Sequence, residues 1–189
     1  MSTTLTHWHA DHLNFGRLLN LLEDQLALFH DGGSPDYEMM LDIMYYMTHY
    51  SDVIHHPKED LVFALIRQRD GGSARRIDEL TEQHASLKRY GEELVRDLDN
   101  IVNGTIMSRE RVESTGRIYV MNFRGHMRTE ESEILPLAAR LLGEADWARI
   151  DEAISHIEDP LFGARVEERY SALRQQIGRD EHAARAARP

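Results

Sequence analysis

The chain has 189 residues, a formal net charge of −11 and no cysteine. This length suits one domain with an appendage. The negative charge disfavours binding to nucleic acid, and the lack of cysteine excludes disulfides and cysteine-ligated iron–sulfur clusters. We expect a cytoplasmic protein without a membrane span, because the sequence shows neither a secretory signal nor a long apolar run. Histidine, with 11 copies, is the unusual residue.

Apolar residues recur at helical spacing throughout the chain, and no alternating strand pattern competes with them. Three glycine-containing segments interrupt the pattern: DGGSP at 31–35, DGGS at 70–73 and NGT at 103–105. Short connections of this kind favour antiparallel neighbours. The sequence therefore predicts an all-α fold, an antiparallel up-down-up-down four-helix bundle with additional C-terminal helices. The four predicted bundle helices cover residues 4–30, 35–69, 74–103 and 108–142.

Two further helical patterns follow the bundle. One covers residues 144–156, and the other begins after Pro160 and runs to about Ile177. We expect them to pack on the bundle or on another subunit, which leaves a homo-oligomer open. The end of the chain is small and charged and is expected to fray. The predicted division is a bundle at 1–142, a helical appendage at 143–177 and a disordered tail at 178–189.

A histidine followed four residues later by a glutamate occurs twice. His55 precedes Glu59 in HHPKED, and His126 precedes Glu130 in HMRTEE. Residues at this spacing share one face of a helix, with β-carbons about 5–6 Å apart, so both side chains can reach one metal. Either pair alone is more often a surface pair than a metal site.

The other two predicted helices each place a histidine on an apolar stripe: His12 near the first helix start, and His84 in EQHASL. For each pair of consecutive helices, we compare how far the two histidines lie from the loop that joins the helices. At ~1.5 Å per residue, the two distances agree within about one turn. Any one histidine is more often structural than a ligand. Four at one level of a bundle, with two glutamates, favour a shared internal site.

The pair of histidines in HHPKED has two alternative registers. His55 and Glu59 continue to apolar side chains, Val62 and Ile66. His56 and Asp60 continue through Phe63 and Ala64 to Arg67. We therefore predict that His55 and Glu59 face the interior and that His56 and Asp60 lie nearer the surface. In the fourth helix the same reasoning turns His126 and Glu130 inward and Glu131 elsewhere.

Four imidazoles and two carboxylates are too many ligands for one tetrahedral zinc and suit two metals, with the glutamates bridging or capping. Imidazole and carboxylate together suit iron, manganese or zinc. Two buried glutamates also need a cationic partner, because an unpaired buried charge is costly. The predicted ligands are His12, His55, Glu59, His84, His126 and Glu130.

These residues resemble the hemerythrin-like family, the histidine–histidine–glutamate cation-binding domains. The resemblance covers roughly residues 5–142 and rests on DHLNFGRLLNLLE, HHPKEDLVF, EQHASL and HMRTEESEILPLA. It implies a four-helix bundle around two non-haem irons, joined by carboxylates and an oxygen bridge. It also implies binding of dioxygen, nitric oxide or peroxide at an open iron position, with manganese or zinc as substitute metals.

The sequence departs from the oxygen-carrying members of that family at two positions. Their second histidine on helix three is replaced here by Lys88, and their last carboxylate, an aspartate, by Glu130 or Glu131. The resemblance then implies a more open metal pair, which favours redox chemistry or sensing over reversible oxygen storage. Tyr50 and Tyr119 are candidate second-layer donors or replacement ligands.

The expected function is therefore binding or reduction of dioxygen, nitric oxide or peroxide, in sensing or in defence against oxidative and nitrosative stress. Three alternatives stay open from the sequence. The first is a module that binds or senses iron without turnover. The second is a protein of the iron–sulfur repair type, although such relatives often carry a cysteine-containing region that this chain lacks. The third is a purely structural helical adaptor.

Overall fold

The computed structural model describes residues 3–153 and 157–186. It is 85% helical, and no strand occurs among the described residues, which confirms the all-α prediction. None of the described helices combines the length and the apolarity needed to cross a membrane. The α-helices are α1 (Thr3–His30), α2 (Tyr37–Tyr46), α3 (His56–Arg69), α4 (Ala74–Val102), α5 (Arg109–Thr129), α6 (Leu135–Leu141), α7 (Glu144–Ala153) and α8 (Ser171–Ala186).

Two π-helical segments join consecutive α-helices. Met47–His55 joins α2 to α3, and Glu130–Ile134 joins α5 to α6. The chain therefore has four long helical stretches that end within two residues of the four predicted helices. α1 packs on α5, α2 packs on α4, and α4 packs on α5, as is consistent with a four-helix bundle. The antiparallel order of the helices stays a prediction.

Each π-helical segment is followed by a proline at the start of the next α-helix. Proline has no backbone N–H and clashes with the carbonyl four residues earlier, so a regular α-helix is strained there. The wider turn relieves this conflict: the N–H of His56 bonds to the carbonyl of Ser51, and that of Leu135 to Glu130, both five residues back. A π turn also changes which side chains face the interior.

The apolar core consists of two clusters with a layer of buried polar side chains between them. On α1, Trp8 belongs to one cluster and Phe15 to the other, while the buried His12 lies between them. The bundle thus holds its polar layer at one level, as the predicted positions of the histidines require. The other three helical stretches also pass from the Trp8 cluster through the polar layer to the Phe15 cluster. The residues are Val62, Glu59 and Met47; Leu80, His84 and Leu87; and Ile134, His126 and Phe123.

The C-terminal helices pack on the bundle. The Arg69 guanidinium at the end of α3 donates two hydrogen bonds, of 2.6 and 2.7 Å, to the carboxylate of Asp146 on α7. Leu173 and Ile177 of α8 belong to the same apolar cluster as Phe15. Residues 143–177 therefore share a core with the bundle, while the division into domains stays a prediction.

The last helix starts later than the sequence predicts. After Pro160 the chain turns, because the Asp159 carboxylate accepts the N–H groups of Leu161 and Phe162, and α8 begins only at Ser171. α8 then continues to Ala186, beyond the predicted end at Ile177. The predicted end of the preceding helix, at residue 156, lies outside the described residues.

Leu173→Ala tests whether the last helix stabilises the whole bundle. Leu173 is 2% exposed in the shared core, so its truncation should lower the free energy of unfolding by about 2–5 kcal/mol in a single cooperative transition. Val166→Ala, at a side chain that is 37% exposed, is the matched control and should change little. Chemical denaturation measures both, and a wild-type midpoint for Leu173→Ala would show that α8 is not part of the cooperative core.

Asp146→Asn tests the link between α3 and α7 through its pH dependence. The hydrogen bonds from Arg69 and from the Gly143 N–H hold the pKa of Asp146 well below its usual value. A lowered pKa in the folded state stabilises the protein above the unfolded pKa of about 4 and loses this effect as the pH falls. The variant should therefore be less stable than wild type at pH 7, and denaturation curves should converge at acid pH. A constant difference across that range would contradict the assignment.

Candidate metal centre

The structure brings all six predicted ligands into the polar layer between the two apolar clusters. α1 carries His12, the segment around α3 carries His55 and Glu59, α4 carries His84, and the segment around α5 carries His126 and Glu130. None of the six is more than 7% exposed. Water therefore has little access to this layer. The six residues are His12, His55, Glu59, His84, His126 and Glu130.

Glu59 lies at the centre of the cluster. Its Oε1 is 2.7 Å from Nε2 of His55 and 3.4 Å from Nε2 of His12. Its Oε2 is 3.2 Å from Nε2 of His84. One carboxylate thus contacts imidazoles from three different helical stretches.

Glu130 approaches the cluster from the opposite side. Its Oε2 is 3.3 Å from Nε2 of His126 and 3.4 Å from Nε2 of His12. Nε2 of His84 and Nε2 of His126 are themselves 3.0 Å apart. The two glutamates and the four imidazoles therefore enclose one small volume.

These contacts fit a metal better than they fit hydrogen bonds. Both oxygens of Glu59, both oxygens of Glu130 and Nε2 of His55 are buried without a hydrogen-bond partner among the described residues. With metal–ligand bonds of about 2.1 Å, neighbouring ligand atoms of an octahedron lie about 3 Å apart. The observed spacings of 2.7–3.4 Å are close to that value. The donor atoms converge on common points rather than on one another.

The donor atoms form two groups that share Glu59. His12, His55 and Glu59 form one group, and His56, Glu59, His84 and His126 form the other. Within each group the ligand atoms lie within 4.8 Å of one another. Each group could hold a metal ion, and the Glu59 carboxylate belongs to both groups.

The prediction that His56 lies near the surface is wrong. His56 is 4% exposed, and its ring stacks on that of His84 with centroids 4.2 Å apart. The predicted register assumed a regular α-helix, whereas the chain is π-helical up to His55 and begins α3 at His56. Two adjacent imidazoles can therefore both face the interior. The signal that could have found this is Pro57, which disfavours a regular helix at this position.

Each of the four predicted histidine ligands has an outer partner on its second ring nitrogen. An Nδ1–H that donates to such a partner leaves the lone pair of Nε2 directed at the cluster and orients the ring for a metal. Three partners are carboxylates and one is an amide oxygen. The Nδ1 pairs are His12 with Glu131 at 2.8 Å, His55 with Asp11 at 2.9 Å, His84 with Asp60 at 2.9 Å and His126 with Gln83 at 3.0 Å.

One of these outer partners corrects the sequence prediction, and another has a role that the sequence did not predict. Glu131 does not point away from the site, because its Oε1 also lies 2.9 Å from Nδ1 of His9 and so holds two rings of α1. Asp60 is partly exposed, as predicted, but it supports His84. A helical pattern in one segment cannot reveal a partner on another helix.

The two glutamates respond differently to their surroundings. Burial alone would raise the pKa of Glu59, but His55 and the other imidazoles outweigh it and hold this pKa well below its usual value. Burial and the nearby charge of Glu59 raise the pKa of Glu130 to about 7. Two charged carboxylates are thus disfavoured in this layer unless cations accompany them.

Two imidazoles of the cluster are kept neutral. Burial, and then the charge of His84, lowers the pKa of His126 to about 3. Burial and His84 also hold the pKa of His56 well below its usual value. A neutral imidazole retains the lone pair that a metal needs.

Tyr119, one of the two predicted second-layer tyrosines, lies in the apolar cluster that contains Phe15, and the other, Tyr50, packs against that cluster. Tyr119 is fully buried against Phe123, and its hydroxyl has no hydrogen-bond partner among the described residues. Tyr50 is half-buried and stacks on Tyr46 with ring centroids 5.2 Å apart. Neither belongs to the two donor groups, so their roles as donors or replacement ligands stay predictions.

Comparison with known protein families agrees with this geometry. Residues 3–138 match the Hemerythrin HHE cation binding domain. The match covers well over half of the chain, so the protein belongs to the hemerythrin family of cation-binding domains. No curated protein matches the chain. The family predicted from the sequence is confirmed, together with a buried histidine–glutamate cluster that could hold metal.

Glu130→Gln tests whether this layer is built around a cation. The Glu130 carboxylate is buried and has no hydrogen-bond partner in the described ranges, so its removal should leave the metal-free variant at least as stable as metal-free wild type. Metal at about 1,000 times its dissociation constant should stabilise wild type by about 4 kcal/mol, and the variant by much less. Thermal unfolding with and without metal measures both effects. An equal metal-induced shift in the two proteins would count against the site.

Proposed function

We propose that this chain is a non-haem di-iron protein that binds or reduces dioxygen, nitric oxide or peroxide. The observation that carries the proposal is the pair of buried donor groups that share the Glu59 carboxylate. Two cations held between these carboxylates would satisfy all four oxygens of Glu59 and Glu130, which are buried and find no hydrogen-bond partner within residues 3–153 and 157–186. An antiparallel order of the four helical stretches is part of this proposal.

Each metal would have its own set of ligands. His12 and His55 would hold one metal, and His84, His126 and His56 the other, with Glu59 joining the two. Glu130 lies near His12 and His126, one from each set, so it would form a second link. His56 supplies an imidazole beside His84 although Lys88 replaces the second histidine found on helix three of the oxygen carriers.

The donor set favours iron over zinc. It contains more nitrogen and oxygen donors than a tetrahedral zinc takes, and imidazole with carboxylate suits iron or manganese. When bound, a pair of irons supplies Lewis acidity and electrons for the chemistry of a small oxidant. Manganese or zinc remain substitutes that the same donors would accept.

The surrounding residues would control what reaches the metals and how it is held. The two apolar clusters above and below the layer exclude bulk water. The indole N–H of Trp8 lies 3.0 Å from Nε2 of His12, the nitrogen whose lone pair a metal would use. If a metal occupied that lone pair, the Trp8 N–H could donate instead to an oxygen acceptor bound in the polar layer.

A groove beside His126 offers a path for a small neutral molecule. It has a volume of about 390 Å³ and is lined by side chains from α4 and α5, among them Gln83 and Asn122. A molecule the size of nitric oxide or peroxide would reach the second donor group from this side. We propose that it does so in the cytoplasm, in sensing or in stress defence.

One observation favours the alternative of an iron-binding or iron-sensing module without turnover. The addition of His56 brings the buried donor residues of the cluster to seven, because it joins the six predicted from the sequence. More protein ligands leave fewer metal positions open to an exogenous molecule. Binding without catalysis is then the expected behaviour.

Metal content and an absorption spectrum test the di-iron proposal. Purified protein should contain about two irons per chain, and an oxygen-bridged pair should absorb from the near ultraviolet into the visible. His126→Ala should abolish the absorption and reduce the iron content, because it removes a ligand from the buried cluster. His182→Ala, at an exposed histidine on α8, is the control and should keep both. An unchanged spectrum in His126→Ala would overturn the proposal.

Consumption of the oxidant separates turnover from binding. Iron-loaded protein with a chemical reductant should consume peroxide or nitric oxide for many cycles if the site is catalytic. Uptake limited to about one molecule per site would favour the binding module. The iron-depleted protein and His126→Ala serve as controls for metal-independent loss of the oxidant.

A further inference from the structure

A cavity beside His55 leads from the protein surface toward the cluster. It has a volume of about 340 Å³ and lies between α1, the first π-helical segment and residues 157–163. The exposed Glu158 and Ile157 lie at its rim, and His55 lines its inner side. The cavity is therefore large enough for a hydrated ion and touches a residue of the cluster.

A second, smaller cavity continues from it to Glu59. Its volume is about 40 Å³, enough for a few water-sized groups, since one water needs about 10–15 Å³ on this measure. The two cavities share His7, Asp11, His55 and Lys58 in their linings. Because they share these four residues, we take the two adjoining cavities as one path from the surface to the central carboxylate.

Carboxylates predominate along this path. Asp11 and Asp151 line the inner cavity, and Glu158 and Asp159 line the outer one. Lys58 is the one amine in the described lining of the two cavities. The local potential therefore favours cations and should speed their approach.

The inner end of the path points to a cation independently of these acids. Glu59 is 1% exposed and lines the small cavity, and neither of its oxygens has a hydrogen-bond partner among the residues that the structure describes. A buried carboxylate in this state is stabilised by a positive charge. A cation that enters through the outer cavity would thus arrive at its own ligand.

The groove beside His126 has a different character. Its described lining contains Gln83, Ser86, Asn122 and Tyr90 and no carboxylate or amine. A charged metal ion gains nothing from this surface, whereas a neutral oxidant is not repelled by it. The two openings therefore differ in the charge of the molecule that they suit.

We propose that divalent metal ions load the cluster through the acidic cavity beside His55. The appendage supplies Asp151 and Glu158 to attract the hydrated ion. Lys58 opposes it, as does Arg165, whose guanidinium lies 3.5 Å from the Glu158 carboxylate. Asp151, Glu158 and Asp159 all lie beyond residue 138, where the match to the family ends. The appendage thus has a role in metal loading. This inference rests on the proposed function only in requiring that the cluster binds metal.

The rate of Co²⁺ uptake by metal-free protein tests the path. Co²⁺ reports its binding by visible absorption and is not oxidised by air during a stopped-flow measurement. At low ionic strength, Glu158→Gln and Asp151→Asn should each lower the second-order rate constant by about 2- to 10-fold, and Lys58→Gln should raise it similarly. High salt should suppress these differences, while the amount of Co²⁺ bound at the end should match wild type.

Matched controls separate the local effect from net charge. Glu110→Gln and Arg96→Gln make the same changes of charge on exposed parts of α5 and α4 and should leave the rate unchanged. Equal rates for Glu158→Gln, Asp151→Asn and Glu110→Gln would overturn the proposed path. Faster uptake by Asn122→Asp with no effect of Glu158→Gln would move the path to the other groove. Failure of wild type to bind Co²⁺ at all would overturn the metal site itself.

Discussion

The structure depends on two glutamates that are buried together without hydrogen-bond partners in the described part of the chain. Taking a carboxylate out of water costs roughly several kcal/mol, even after the protein relaxes. A second carboxylate nearby adds electrostatic repulsion. Glu59 and Glu130 are nonetheless 1% and 0% exposed. Imidazoles offset part of this cost, and the pKa of Glu130 is still raised to about 7. A fold that keeps such a pair is built around positive charge at this point.

The rest of the bundle holds that pair in place. Apolar clusters pack on both sides of these side chains, and each helical stretch contributes at the same level. The outer partners on Nδ1 orient the imidazoles before any metal arrives. Preorganisation of this kind limits the conformational entropy lost on binding. Asp11, Asp60, Gln83 and Glu131 are therefore as much part of the site as the residues they support.

The two openings connect this site with its surroundings in different ways. One is acidic and is completed by residues beyond the family domain, whereas the other carries neutral polar groups. If the bundle takes up both a cation and a small oxidant, as proposed, separate routes are an advantage, because negative charge attracts the cation and has no effect on a neutral oxidant. The C-terminal residues share the bundle core and also form the rim of the acidic cavity.

The sequence by itself determined the helical class, the four long helical stretches, the family and the six residues that converge. These follow from apolar periodicity and from side chains three or four residues apart, which are local properties of a helix. Only the tertiary structure decided that His56 faces inward. The direction of its side chain depends on a π turn, and such turns form here where a proline lies within a closely packed helical stretch. It also decided which groups support the imidazoles, such as Glu131 for His12, since those partners lie on other helices. Contacts between distant segments have no period along the chain, so no pattern in the sequence records them.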